Sequence, residues 1–352
     1  MPTANVRAVG AARGAALLLL ALAACGGPPA GPVNGAAALE HVRQLSVVIG
    51  ERPFGSDGLA KAADYISAEI RKLGLDPQRH EVVDEPSGKT IRNVYTQIGG
   101  KNAETGPILM LGAHYDSKLC SGHADAAHNF KFVGAIDGGG APAVLLELAR
   151  VIKAQTPPLE VSVWLYWIDA EESIDFQWNS ERALIGSKAF TKWLGKEKVL
   201  PRVKAFVLLD LLGDANYKVD RDGNSHKELQ EIFARAGEKL GCSDRMYQFP
   251  GARELQWYRD NGRPWGITDD HNVFTDCGVP SVLLIDFEHR IGKQRWQEMN
   301  PNSSPPDAEG YAQWWHTAED TIDRMSADSL AFAGNLVCAA LPDLQAFVLK
   351  KR

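Results

Sequence analysis

Residues 161–170, Val-Ser-Val-Trp-Leu-Tyr-Trp-Ile-Asp-Ala, constrain the fold more than any other stretch, and they run directly into two adjacent carboxylates, Glu171 and Glu172. A run this rich in β-branched and aromatic side chains reads as a strand buried on both faces. Such strands lie in the middle of sheets covered by helices, and their carboxyl ends are where open α/β sheets place ligands. Along a continuing strand Glu171 and Glu172 would point to opposite faces, so both serve one site only if the chain turns at the doublet.

Strand and helix patterns alternate around this run. Helical periodicity covers 39–48 and 59–73, the second with Ile66, Ile70 and Leu73 on one face and Gly74 placed to stop it. Strands are expected at 91–98 and 108–112, and Asp137-Gly138-Gly139-Gly140 opens a helix with Pro142 in its first turn. A helix over 181–193, a strand over 203–212, a helix over 226–240 and a strand over 279–287 follow. Residues 253–272 and 288–312 read as loops, and 327–349 as a helix interrupted at Pro342. The alternation predicts an α/β fold with a mixed, mainly parallel central sheet and helices on both faces. No composition break divides residues 39–352, which are expected to form a single catalytic domain.

Ahead of that domain, Arg7 and Arg13 precede an apolar segment, 15–24, too short to span a bilayer but suited to the core of a secretory signal. Leu22-Ala23-Ala24-Cys25-Gly26 resembles the lipobox of bacterial lipoproteins. Residues 1–24 are therefore expected to be a signal peptide, with Cys25 lipidated and 25–38, rich in Gly, Pro and Ala, a tether holding the protein to the membrane on its periplasmic side. Cys120, Cys242, Cys277 and Cys338 show no CxxC spacing, which argues against a thiolate zinc site and leaves room for one or two disulfides. With 38 Lys+Arg against 44 Asp+Glu and no basic run, nucleic acid is not an expected partner. A monomer is the expected state.

Zinc without thiolates is held by His nitrogen and carboxylate oxygen, and a catalytic site keeps one position open. His114, Asp137, Glu172, Asp210 and His316 all fall at or just past expected strand ends. Taken singly, His114 could be a turn histidine and Asp137 a helix cap. Asp210, inside Leu-Leu-Asp-Leu-Leu, needs a partner or a metal.

Gly112-Ala-His114-Tyr-Asp116-Ser-Lys118, Phe132-Val-Gly-Ala-Ile-Asp137, Asp169-Ala-Glu171-Glu172, Leu208-Leu-Asp210-Leu-Leu-Gly213, Thr268-Asp269-Asp270-His271 and Trp315-His316-Thr317 occur in the order and approximate spacing of the glutaminyl cyclases. The chain resembles that family, which shares its fold with zinc aminopeptidases, from about residue 39 to its end. The resemblance implies that Asp137, Glu172 and His316 bind one zinc ion and that Glu171 is the general acid/base. Asp210 and Asp269 would form a hydrogen-bonded acidic network with it, and Trp178, Trp315 and Thr268 would line the substrate pocket. Asp116 is placed to orient His114. The cysteine pair that flanks the site in animal secretory forms has no counterpart, since Ala113 and Ala143 stand there, and the stretch between Glu172 and Trp178 is one residue longer.

The expected activity is zinc-dependent cyclisation of the N-terminal glutamine of peptides or proteins. The alternative is a two-zinc aminopeptidase, with His114 and Asp210 completing a second site around a bridging Asp137. A substrate-binding lipoprotein without catalysis is a third reading, which the retained Glu171 argues against.

Overall fold

The computed structural model describes residues 31–100, 103–260, 262, 264–287 and 314–350. The expected signal segment, residues 25–30 of the expected tether and the loop over 288–312 lie outside the described residues, while the end of that tether, from Gly35, is the start of the first helix. Six strands form one sheet: β1 (Gln78–Asp84), β2 (Lys89–Ile98), β3 (Ile108–His114), β4 (Ser162–Ile168), β5 (Val203–Leu209) and β6 (Ser281–Leu284), in the spatial order β1-β2-β4-β3-β5-β6. β1 pairs with β2, and β2 with β4, antiparallel; β4, β3, β5 and β6 are parallel. The sheet is mixed and mainly parallel, as the sequence pattern predicts.

Among the described residues the α-helices are α1 (Gly35–Val42), α2 (Asp57–Lys72), α3 (Ala141–Ala154), α4 (Ile185–Lys196), α5 (Lys227–Lys239), α6 (Ala252–Asp260), α7 (Asp270–Asp276) and α8 (Ala327–Leu349). Alternate residues of the parallel strands feed two cores. Leu109, Leu111, Val163, Leu165, Trp167 and Val207 pack with α1, α2, α3, α5 and α8 on one face. Met110, Trp164, Tyr166, Ile168, Phe206 and Leu208 pack with α4 and α7 on the other. Each such side chain contributes about 1.5–3 kcal/mol when fully buried. Covered on both faces, β3, β4 and β5 hold their carboxyl ends fixed at one edge of the sheet. Helix α8 is long and apolar enough to cross a membrane, but it packs against α1, α3 and α5 and is a core helix.

Several elements differ from expectation. The apolar run ends as a strand at Ile168, because Ala170 takes a left-handed φ of 54°; the turn required at the doublet is at that residue. β5 stops at Leu209, ahead of Leu211 at φ 48°. β1 carries no apolar alternation because it is the exposed edge strand. Residues 253–272, read as loop, contain α6 and the start of α7, whose polar sequences hide their helical period. The first helix continues past Val42 as a π-helix, Arg43–Ile49, which turns Val47 and Val48 to solvent. Helix α8 runs through Pro342, which lies on its exposed side. Gly74, at φ 66°, ends α2 as expected. No disulfide links Cys120, Cys242, Cys277 and Cys338 to one another.

Candidate metal centre and active site

The doublet is fixed by the segment that leaves β3. Asp116, fully buried, accepts hydrogen bonds from the backbone N–H of Glu171 through Oδ1 and of Glu172 through Oδ2, both at 3.2 Å. Tyr115 N–H donates to the Ile168 carbonyl at 2.9 Å, and Leu184 N–H to the Glu171 carbonyl at 2.8 Å. These bonds hold Ala170 in a conformation that costs an L-residue on the order of 1 kcal/mol. Lys118, also buried, donates to the Ser173 and Asp175 carbonyls at 3.1 and 3.2 Å, with its ammonium 3.4 Å from Glu172 Oε2. Asp116 thus does more than flank His114: it anchors both glutamates just after the turn at Ala170.

Asp137 lies just ahead of α3 on a loop that requires glycine at Gly138, where φ is 82° and a Cβ would fall 2.0 Å from the Asp116 carbonyl oxygen. Asp320 grips the same loop, its carboxylate accepting from Ile136 N–H at 2.7 Å and Asp137 N–H at 3.1 Å. His316 comes from the far end of the chain at φ 53°, with Nε2 3.3 Å from Asp137 Oδ2 and 3.2 Å from Glu172 Oε1. His114 Nε2 lies 2.9 Å from Asp210 Oδ1 and 3.3 Å from Asp137 Oδ1. Two donor groups result, Asp137–Glu172–His316 and His114–Asp137–Asp210, each with its ligand atoms within 4.8 Å of one another. Each offers one imidazole nitrogen and two carboxylate oxygens, a donor set that suits a catalytic zinc with an open position. Asp137 Oδ2 is buried without a hydrogen-bond partner although a histidine nitrogen faces it, which fits an oxygen placed for a cation.

The charges follow from this packing. Burial alone would raise Asp137, but His114 and His316 hold it well below the usual carboxylate range. Burial opposes ionisation of Glu172 too, and His316 with Lys118 reverses it. For His316 and His114 burial favours the neutral ring, yet the surrounding carboxylates raise both. Glu171 goes the other way: burial, then the charges of Asp269, Glu172 and Asp270, push it well above its ordinary value, against the pull of His114. Asp210 and Asp269 are raised, first by burial.

Asp270 is pushed up to about 7, first by burial, with Ser187 and His114 opposing and Asp116 and Asp210 adding. The unfolded chain ionises this group near its ordinary value of 3.8, so the folded protein binds the extra proton between about pH 4 and 7 and loses stability as pH rises through that window. Asp270→Asn is therefore expected to leave the melting temperature of the zinc-free protein unchanged near pH 4 and to raise it at pH 8, by on the order of 3 kcal/mol of stability. An equal difference at both pH values would contradict this.

Most of the site residues expected from sequence converge here: His114, Asp116, Asp137, Glu171, Glu172, Asp210, Asp269 and His316. Trp315 stacks on His316 with ring centroids 4.0 Å apart and meets Phe287 edge-on at 5.2 Å, so an aromatic wall stands beside this histidine. Trp178 is 49% exposed, on the loop after the doublet, and Thr268 is exposed just ahead of Asp269. The hydrogen bond expected between Asp210 and Asp269 does not form. Asp210 Oδ1 is engaged by His114, while Asp269 caps α7, receiving Asp270 N–H on Oδ1 and leaving Oδ2 buried and unpartnered. The two carboxylates act on each other through charge alone. His271, at the end of the Thr268–His271 motif, pairs with Asp222 at 3.1 Å. Arg52, Lys118 and Asp320 were not singled out by sequence; each is an ordinary surface residue type whose burial only the fold reveals.

The fold, the strand-end location and the paired donor groups define an enzyme of the zinc aminopeptidase-like class. The profile of peptidase family M28 matches residues 93–341, and the chain belongs to that family. Within it, the chain is 26% identical to the glutaminyl-peptide cyclotransferase of Drosophila melanogaster over 306 residues, 83% of this chain and 77% of that protein. The crystal structure of an Acidobacteriales bacterium glutaminyl cyclase matches with a TM-score of 0.71 at 27% identity, covering 92% of this chain and 98% of that one. An aminopeptidase of Bacillus subtilis is 25% identical over 256 residues, 72% of this chain but 45% of its own length.

Proposed function

We propose that this chain is a zinc-dependent glutaminyl cyclase that converts the N-terminal glutamine of peptides or proteins to pyroglutamate, exported and lipid-anchored at Cys25 on the periplasmic side of the membrane. The observation that carries the reading is the placement of Glu171. It is turned at Ala170, anchored through Asp116, and set among His114, Glu172 and Asp269 while belonging to neither donor group.

Ring closure joins the α-amine nitrogen to the side-chain amide carbon and breaks that carbon's bond to the amide nitrogen, which leaves as ammonia. Zinc, when held by Asp137, Glu172 and His316, supplies a Lewis acid for the amide oxygen. Glu171 takes the proton given up by the attacking amine and returns it to the leaving nitrogen, a role typically worth about 10² to 10⁴ in rate. Because attack is intramolecular, the remaining task is to hold the ring-closing conformation, and the Trp315 wall serves it.

The second donor group, His114–Asp137–Asp210, favours the aminopeptidase as the alternative, with Glu171 activating water between two metal ions. Elemental analysis of zinc, combined with incubation of a Gln-initiated and a Leu-initiated peptide, separates the two. The cyclase is expected to hold one zinc per chain and leave the Leu peptide untouched. Two zincs per chain with release of free leucine would establish the peptidase instead.

A further inference from the structure

We infer that Arg52 and Asp320 form a buried clamp that fixes Asp137 relative to His316, and that they act as positioning residues for metal capture. Arg52 is completely buried and makes no hydrogen bond to a carboxylate; its guanidinium is spent on backbone carbonyls. Nη1 donates to Leu45, Gly50 and Val133 at 3.0, 2.8 and 2.9 Å, Nη2 to Gly134 at 2.9 Å, and Nε to Tyr115 at 2.9 Å. The main chain of Arg52 is itself locked to Ser117, with N–H donating to Oγ at 2.9 Å and the carbonyl accepting Ser117 N–H at 3.1 Å.

Asp320 holds the other side of the same loop. Its side chain takes the N–H groups of Ile136 and Asp137, and its own carbonyl takes Ala135 N–H at 3.5 Å. Residues 133–137 are therefore gripped throughout, the Val133 and Gly134 carbonyls by the Arg52 guanidinium and the N–H groups of Ala135, Ile136 and Asp137 by Asp320. The two grips are not redundant. Arg52 ties the loop to the segment leaving β3, Tyr115 to Ser117, which carries Asp116. Asp320 ties it to the turn holding His316, since Asp320 N–H donates to the Thr317 carbonyl at 3.3 Å.

The chemistry suits a clamp better than a generic core contact. Burying a guanidinium costs several kcal/mol unless its donors and charge are both answered. Here five carbonyls meet the donors, and burial lowers the group only to about 10, against the pull of the Asp320, Asp116 and Asp137 carboxyls at or directly behind the donor groups, so the guanidinium stays cationic at neutral pH. A lysine has three donors and no planar fork, so it cannot bridge the same carbonyls. Three side chains separated by some 180 residues must bring their ligand atoms within 4.8 Å, and this clamp joins the two that are farthest apart in sequence, Asp137 and His316.

The inference rests on Asp137 and His316 being ligands, and the test keeps the two ideas apart. Zinc affinity is measured by competition with a chromogenic chelator for the wild type, Asp320→Asn, Arg52→Lys, His316→Ala and Ser67→Ala, a buried α2 control remote from the site. Zinc-free melting temperatures are recorded alongside. Asp320→Asn and Arg52→Lys are expected to weaken zinc about ten- to a hundredfold, with Ser67→Ala unchanged. Wild-type zinc affinity in Asp320→Asn, whatever its melting temperature, would overturn the clamp. Wild-type affinity in His316→Ala would overturn the ligand assignment beneath it.

Discussion

Glu172→Ala is expected to lose zinc and turnover together. The carboxylate sits between His316 and Lys118, with an oxygen 3.2 Å from the imidazole Nε2 and another 3.4 Å from the ammonium. Removing it deletes a proposed metal donor and leaves a buried cation without its carboxylate partner, a change that typically costs about 3–5 kcal/mol. Elemental analysis of the purified variant is expected to find no stoichiometric zinc, and activity is expected to fall below detection. A variant that retained one zinc and measurable turnover would remove Glu172 from the ligand set.

Its neighbour should behave in the opposite way. Glu171→Gln is expected to keep zinc at the wild-type level while kcat falls by about 10² to 10⁴, because the amide occupies the same space but carries no proton between amine and leaving nitrogen. The fold is not expected to suffer, since burial and the neighbouring Asp269, Glu172 and Asp270 already favour an uncharged group at this position. Steady-state kinetics with a Gln-initiated peptide reads this directly. Full activity in Glu171→Gln would end its assignment as the proton carrier.

The contrast between these adjacent residues shows what the sequence exposed and what it concealed. The apolar run ahead of them announced a central strand, because burial on both faces demands side chains of that kind. Donors placed after one strand after another marked the edge of the sheet where a site would form. The turn at the doublet was a geometric requirement, and the fold meets it with Ala170, just ahead of the glutamates, and two N–H bonds to Asp116. The parts that stayed hidden are those whose sequence signal is polar. β1 is an exposed edge strand, α6 is a short helix of polar composition, and Asp269 is drawn from the expected acidic network into capping α7. Arg52, Lys118 and Asp320 are charged residues of types ordinarily found at surfaces; only long-range contacts, Arg52 to Gly134 and Asp320 to Asp137, bring them beneath the site. Trp178, expected to line the pocket, stands half in solvent, since a residue's neighbours across a loop are not encoded by its own type.

The products of a Gln-initiated peptide distinguish cyclisation from hydrolysis most directly. With the zinc-loaded wild type, one ammonia is expected for each peptide consumed, the peptide retaining all its residues and losing its free amino terminus. Free glutamine released together with a peptide shortened by one residue would contradict the cyclase.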